Sequence, residues 1–208
     1  MADYRKPDYW QLKARKEGYP ARSVYKLDEM NGKFRLLPDV LASGKGPVRI
    51  LDLGAAPGSW SLYVLRKMRA NDFLVSVDLS PLSRQYDKGL FDKENFFFIQ
   101  GDFTDDTVRR EILSRGPYAL LLSDAAPATS GNRSIDTSRS LELAGTVISY
   151  AESSLKRGGS LVIKVFQGGD TTSILKRMKD LFTNAKSYKP EACRSESFET
   201  YYVGVGKK

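Results

Sequence analysis

From residue 46 onward the chain alternates short apolar runs with longer amphipathic stretches. GPVRILDLGAAPG (46–58) is an apolar run closed by a glycine turn and predicts a first strand over 48–53. PGSWSLYVLRKMR (57–69) predicts a helix with Pro57 near its first turn. FLVSVDLSP predicts a second strand over 73–79, and NFFFIQGDF (95–103) a third. TDDTVRREILSRG (104–116) predicts a helix capped by Thr104 or Asp105. YALLLSDAAP (118–127) is a fourth strand, followed by a long helical stretch from Ser138 to Leu155 closed by Gly158–Gly159. SLVIKVFQGG (160–169) is a fifth strand and DTTSILKRMKDLF (170–182) another helix. AKSYKP (185–190) and ETYYVGVGK (199–207) form a final strand pair. No helix separates those two, so they are expected to be antiparallel. The alternation predicts a doubly wound α/β sheet, mostly parallel. A single domain is expected over 1–208, with 48–208 forming the sheet and its helices and 1–35 a basic helical extension.

One position breaks the pattern. Leu161, Val162, Ile163, Val165 and Phe166 suit an inner strand of a parallel sheet, but Lys164 stands among them. A lysine is almost never fully buried without a partner, so the ammonium group in this strand calls for a reason.

Composition narrows the chemistry. At 208 residues the chain can bury roughly 70% of its unfolded surface. No apolar run approaches the roughly 18 residues of a membrane span. The N-terminus MADYRKPDYWQLKARKEGY lacks the apolar stretch of a signal peptide, so the expected location is the cytoplasm, with no membrane partner. One cysteine, Cys193, allows no intrachain disulfide. With no histidine, Ser-His-Asp chemistry, Cys-His chemistry and His-based metal sites are excluded. Acid–base work falls to Lys, Asp, Glu or Tyr. The net charge is +8, with +4 in residues 1–35, +6 in 156–208 and −2 between them. Basic ends fit RNA or DNA as a partner, and charge by itself equally fits plain solubility.

Ligands of open parallel sheets bind beyond the carboxyl ends of the strands. Asp52-Leu53-Gly54-Ala55-Ala56-Pro57-Gly58, Asp78, Asp102 and Asp124 all fall at such ends. The glycine spacing differs from the G-x-G-x-x-G dinucleotide fingerprint, and carboxylates repel a pyrophosphate. That argues against a nicotinamide-dependent oxidoreductase. A cofactor with a positive centre and ribose hydroxyls suits the pocket, and S-adenosylmethionine has both. Asp78 is placed for the ribose hydroxyls, Asp102 for the adenine amino group and Asp124 for the methionine end. Each carboxylate alone reads equally well as a turn residue. Four at successive strand ends favour the pocket.

These stretches, together with ARSVYKLDEM (21–30), LDLGAAPGSWS (51–61), VDLSP (77–81), QGDF (100–103), SDAAPATSG (123–131), VIKVFQGG (162–169) and KPEACRSESFETYYVG (189–204), are similar to those of the FtsJ-type (RrmJ-type) RNA 2′-O-methyltransferases. The resemblance runs over nearly the whole chain. It implies a Rossmann-like, S-adenosylmethionine-dependent methyltransferase fold of seven strands, the last reversed. It also implies a Lys-Asp-Lys-Glu tetrad at Lys26, Asp124, Lys164 and Glu199, and cofactor contacts at Gly58, Trp60, Asp78, Asp102 and Asp124. The sequence departs from the family at Ser59, where a glycine is frequent, at Ala125 and Ala128, and at Cys193 and Phe198, where serines are common. None of these is in the tetrad.

Methyl transfer from a sulfonium is an in-line displacement needing the attacking oxygen about 3–3.5 Å from the carbon. A lysine at its reference pKa of about 10.4 is a poor base at neutral pH. Burial and a second ammonium favour the neutral form, and carboxylates favour the charged one. Lys164 is therefore the central group, as base or as steering donor, and no metal is called for. Arg5, Lys6, Lys13, Arg15, Lys16, Arg22 and Lys33, interleaved with Tyr4, Tyr9, Trp10, Tyr19 and Tyr25, are candidates for phosphate contacts and base stacking, with Arg194 beside them. The same aromatics could instead pin the extension to the domain. The resemblance favours a uridine of large-subunit 23S-type ribosomal RNA, on the ribosomal subunit; a monomer is the expected state. A tRNA anticodon loop or mRNA cap is the alternative target, and a non-catalytic RNA-binding module the alternative of another class.

Overall fold

In a computed structural model, which describes residues 7–42, 46–194 and 196–208, seven strands form one sheet. They are β1 (Arg49–Leu53), β2 (Phe73–Asp78), β3 (Phe96–Gln100), β4 (Tyr118–Ser123), β5 (Leu155–Phe166), β6 (Phe182–Tyr188) and β7 (Glu199–Lys207), in the order β3-β2-β1-β4-β5-β7-β6. β7 runs antiparallel to β5 and β6, and the remaining pairs are parallel. This is the expected Rossmann-like methyltransferase architecture.

Alternation along the strands divides the core in two. Ile50, Leu120, Leu122, Val162, Tyr201 and Val203 face one layer. It is built from α1 (Tyr9–Lys16), α2 (Val24–Phe34), α3 (Leu36–Ala42) and α4 (Ser59–Lys67). Leu51, Leu121, Leu161, Ile163 and Val165 face the other. That layer holds α5 (Asp106–Ser114), α6 (Arg133–Ser154) and α7 (Thr171–Leu181). Lys164 shares the parity of Val162, so its side chain emerges on the face covered by the N-terminal helices. No helix among the described residues is long and apolar enough to cross a membrane.

Several boundaries differ from the sequence pattern. The extension is two helices, and α3 follows as an unanticipated third. Pro57 precedes α4 rather than opening it; the N-cap is Gly58, at φ 109°. Asp105, not Thr104, caps α5, accepting from Thr107 N and Val108 N. α6 begins five residues early because Asn132 accepts from Ser134 N and Ile135 N. Gly158 and Gly159 do not close α6. They lie within β5, where the register against β4 jumps from Tyr118↔Leu155 to Leu120↔Ser160. A Cβ on Gly159 would stand 2.8 Å from Lys156 O, so this irregularity requires glycine. The carbonyl end of α6 is served instead by Lys207, whose Nζ donates to Ala151 O, Glu152 O and Leu155 O at 2.6–2.8 Å.

Candidate active site

The strand order reverses between β1 and β4, and a cavity of about 560 Å³ opens there at the strands' carboxyl ends. Gly54 and Ala56 line it from the turn after β1, and Asp78 and Leu79 from β2. Asp102, Phe103 and Thr104 follow β3; Asp124 to Ala128 follow β4; Arg139, Glu142, Leu143 and Thr146 come from α6. Gly54 has φ +76°, and a Cβ there would meet Ala125 Cα at 2.6 Å, so the two turns pack without room for a side chain.

Local hydrogen bonds set the carboxylates. Asp78 accepts from Ala56 N and from Ser80 N, both at 2.8 Å. Asp102 Oδ1 accepts from Thr104 N at 2.8 Å and Thr104 Oγ1 at 2.7 Å. A carboxylate offers about four acceptor sites, so both retain capacity toward the cavity. Asp52 does not line it. Its side chain is fully buried beneath, accepting from Ser61 Oγ at 2.7 Å, with Ser61 Oγ also 2.9 Å from Ser76 Oγ. Burial first, then the charges of Asp124 and Asp78, push its carboxyl up to about 7 against the pull of Ser61.

Lys26, Asp124, Lys164 and Glu199 come together as two ion pairs. Lys164 Nζ lies 3.1 Å from Asp124 Oδ1 and also donates to the Asp124 carbonyl. Lys26 Nζ lies 2.6 Å from Glu199 Oε1. All four side chains are less than one-fifth exposed. Tyr201, which stands opposite Lys164 in the β5–β7 register, joins the pairs: its hydroxyl donates to Asp124 Oδ1 at 2.6 Å, and Lys26 Nζ lies 5.8 Å from its ring centre. Burial works to raise the Asp124 carboxyl, but the ammonium groups of Lys164 and Lys26 and the Tyr201 hydroxyl together hold it below the ordinary carboxylate range. Burial and the same carboxylate push the Tyr201 phenol well above its usual value. Lys26 and Glu199 also line a second hollow of about 330 Å³, with Arg22, Arg194, Glu196, Ser197 and Phe198.

Gly58 and Trp60, expected on the cofactor side, do not line the large cavity. A Cβ on Gly58 would meet the Phe91 ring at 2.9 Å. Trp60 is buried, donates from Nε1 to Ser23 O at 2.8 Å and packs 6.0 Å from the Tyr201 ring. Ser59 accepts from Ala21 N at 2.8 Å. The serine that departs from the family pattern and the tryptophan beside it thus anchor residues 21–23, from which α2 carries Lys26 inward. Tyr201 was not singled out in the sequence, although its spacing of two from Glu199 on a strand puts both on one face. Of the proposed stacking aromatics, Trp10, Tyr19 and Tyr25 pack against the core and Tyr9 is exposed. Lys13 and Lys33 lie over the rings of Tyr25 and Tyr188. Tyr4, Arg5 and Lys6 lie outside the described residues.

The sequence profile of FtsJ-like methyltransferases matches residues 19–207. The chain belongs to the FtsJ-like methyltransferase family. Ribosomal RNA large subunit methyltransferase E of Treponema denticola is 47% identical over 205 residues, 99% of this chain and 97% of that protein. The protein of the same name from Borrelia garinii subsp. bavariensis is 43% identical over 201 residues, 97% of each. Among solved structures, a ribosomal RNA methyltransferase from Plasmodium falciparum gives a TM-score of 0.70 at 26% identity over 91% of this chain and 98% of that one. Human methyltransferase-like protein 13 in complex with SAH gives 0.59 at 14% identity over 87% and 81%, a likeness of fold alone. As an FtsJ-like methyltransferase the protein is an enzyme of methyl transfer.

Proposed function

We propose that this FtsJ-like methyltransferase moves a methyl group from S-adenosylmethionine to the 2′-hydroxyl of a uridine ribose in large-subunit ribosomal RNA. The observation that carries the reading is the pair of ion pairs, Lys164–Asp124 and Lys26–Glu199, joined through Tyr201 between a large acidic cavity and a smaller cationic hollow. The names of the relatives, matched almost end to end, support the choice of RNA.

The cavity suits the cofactor. Its volume falls within the roughly 300–1,000 Å³ usual for small-molecule sites. Asp78, Asp102, Asp124 and Glu142 outnumber Arg139 on its walls, which favours a ligand with a positive centre. When bound, S-adenosylmethionine supplies an electrophilic methyl carbon and leaves as S-adenosylhomocysteine. Asp78 would accept from its ribose hydroxyls and Asp102 from the adenine amino group, and Asp124 would hold the methionine end. Lys164, held by both the carboxylate and the carbonyl of Asp124, steers the 2′-oxygen into line with its ammonium hydrogens. Lys26 and Glu199 orient the ribose from the hollow. The hydroxyl proton leaves to a carboxylate of the tetrad or to water.

The test incubates the enzyme with radiolabelled S-adenosylmethionine and, separately, large-subunit ribosomal RNA, ribosomal subunits and tRNA, then maps the modified 2′-hydroxyl. Lys164→Ala should fold, bind S-adenosylmethionine with unchanged affinity by calorimetry, and lose methyl transfer by at least about a hundredfold. Normal turnover in that variant, or label appearing only in tRNA, would overturn the reading.

A further inference from the structure

Phe198 immediately precedes Glu199 and shares the 330 Å³ hollow with it and with Lys26. Its ring is only half-buried, yet it is held firmly. It meets the buried Phe166 edge-to-face at 4.7 Å and 63°, and its carbonyl accepts from Gln167 N at 2.7 Å. Arg133, the first residue of α6, lies over one face of the Phe198 ring with its guanidinium carbon 5.4 Å from the ring centre, so a base would stack on the ring's other face or take the place of the guanidinium. Arg22 and Arg194 line the same hollow. A packed, half-buried aromatic ring, flanked by guanidinium groups and one residue from the tetrad, has the make-up of a site for single-stranded nucleic acid: rings stack on bases while cations follow the phosphates.

We propose that Phe198 is the stacking platform for an unpaired nucleobase neighbouring the nucleotide that is methylated, with Arg133 as the cation beside it. This rests on the RNA 2′-O-methylation reading above. The covalent link to Glu199 fixes the distance between the platform and the reacting ribose. A base drawn onto the ring brings the adjoining ribose to Lys26 and Lys164. An unpaired base is needed because a paired one keeps its faces covered by its neighbours. The packing against Phe166 matters too, since a side chain already held by neighbours loses less entropy on binding.

The experiment compares the full-length enzyme with Phe198→Leu and Phe198→Trp. Leucine covers Phe166 with apolar bulk but has no aromatic face, whereas tryptophan keeps one. Labelled S-adenosylmethionine and whichever of large-subunit ribosomal RNA or large ribosomal subunits the wild-type enzyme methylates give KM and kcat; a single-stranded oligoribonucleotide containing 2-aminopurine reports stacking by its fluorescence. Phe198→Leu should raise the KM for RNA about tenfold, within what stacking of one base supplies. Its kcat at saturating RNA should stay within about twofold and its KM for S-adenosylmethionine should not move. Phe198→Trp should retain the wild-type KM and quench the probe, and Phe198→Leu should not quench it. A Leu variant with wild-type KM, or a Trp variant as impaired as the Leu variant, overturns the platform while leaving the methylation reading intact. A wild-type enzyme that transfers no methyl group to RNA overturns both.

Discussion

Asp52 is fully buried, and its Oδ1 has no hydrogen-bond partner among the described residues. With its carboxyl raised to about 7 from 3.8, the folded protein keeps this proton where the unfolded chain has already lost it. More protons bound in the folded state mean that stability falls as pH rises. The fall runs from about pH 4 to about pH 7, is on the order of 4 kcal/mol, and is flat above. Asp124 has the opposite sign. Its lowered carboxyl contributes stability above the unfolded value, lost as pH falls through its folded value on the acid side. Asp52→Asn should therefore flatten the decline of Tm between about pH 4 and pH 7, read by calorimetry in a pH series. Curves that stay parallel to wild type would remove Asp52 as their cause. At this scale Lys164 was legible in the sequence, because a charge inside an apolar run demands a partner. Asp52 was not: it reads like Asp78, a carboxylate at a strand end, and only the packing of Ser61 and Ser76 against it shows that it points inward.

Helix α2 and strand β7 meet through a largely buried ion pair, with the Lys26 and Glu199 side chains 11% and 13% exposed. Removing one partner of such a pair leaves an uncompensated charge and costs about 3–5 kcal/mol, whereas replacing both with neutral groups of similar shape is often close to neutral. Glu199→Ala alone should thus lower stability to urea by roughly 3 kcal/mol. The double variant Lys26→Met, Glu199→Gln should recover most of that stability yet remain without methyl transfer. Recovery of activity along with stability would show that the pair only fastens α2 to the sheet. Elements themselves were largely readable, since an apolar run between a glycine turn and a helix cap has few other interpretations. Their ends were less so. Asn132 starts α6 early and Lys207 satisfies its last carbonyls from more than fifty residues away, so the glycines that resemble a cap serve β5 instead.

Across the whole molecule the charge is +8, concentrated toward both ends of the sequence. The fold brings Arg22 and Lys26 from one end and Arg194 from the other around one hollow. With about three phosphate contacts, RNA affinity should fall with a log–log salt slope near −2, roughly twentyfold between about 50 and 200 mM salt. Filter binding over that range would show it, and an affinity indifferent to salt would count against these cations as phosphate contacts. The sequence by itself determined the doubly wound sheet and the carboxylates at its strand ends, because periodicity and turn residues act over a few positions of chain; Lys26, Asp124, Lys164 and Glu199 were named as a set only through the resemblance to the FtsJ-type family. Only the tertiary structure decided that Lys26 pairs with Glu199 and Lys164 with Asp124, that Tyr201 joins them, and that Trp60 turns away from the cavity to anchor α2. Those contacts span up to 173 residues of sequence. They exist because strand parity puts Lys164 and Tyr201 on the face that the N-terminal helices cover.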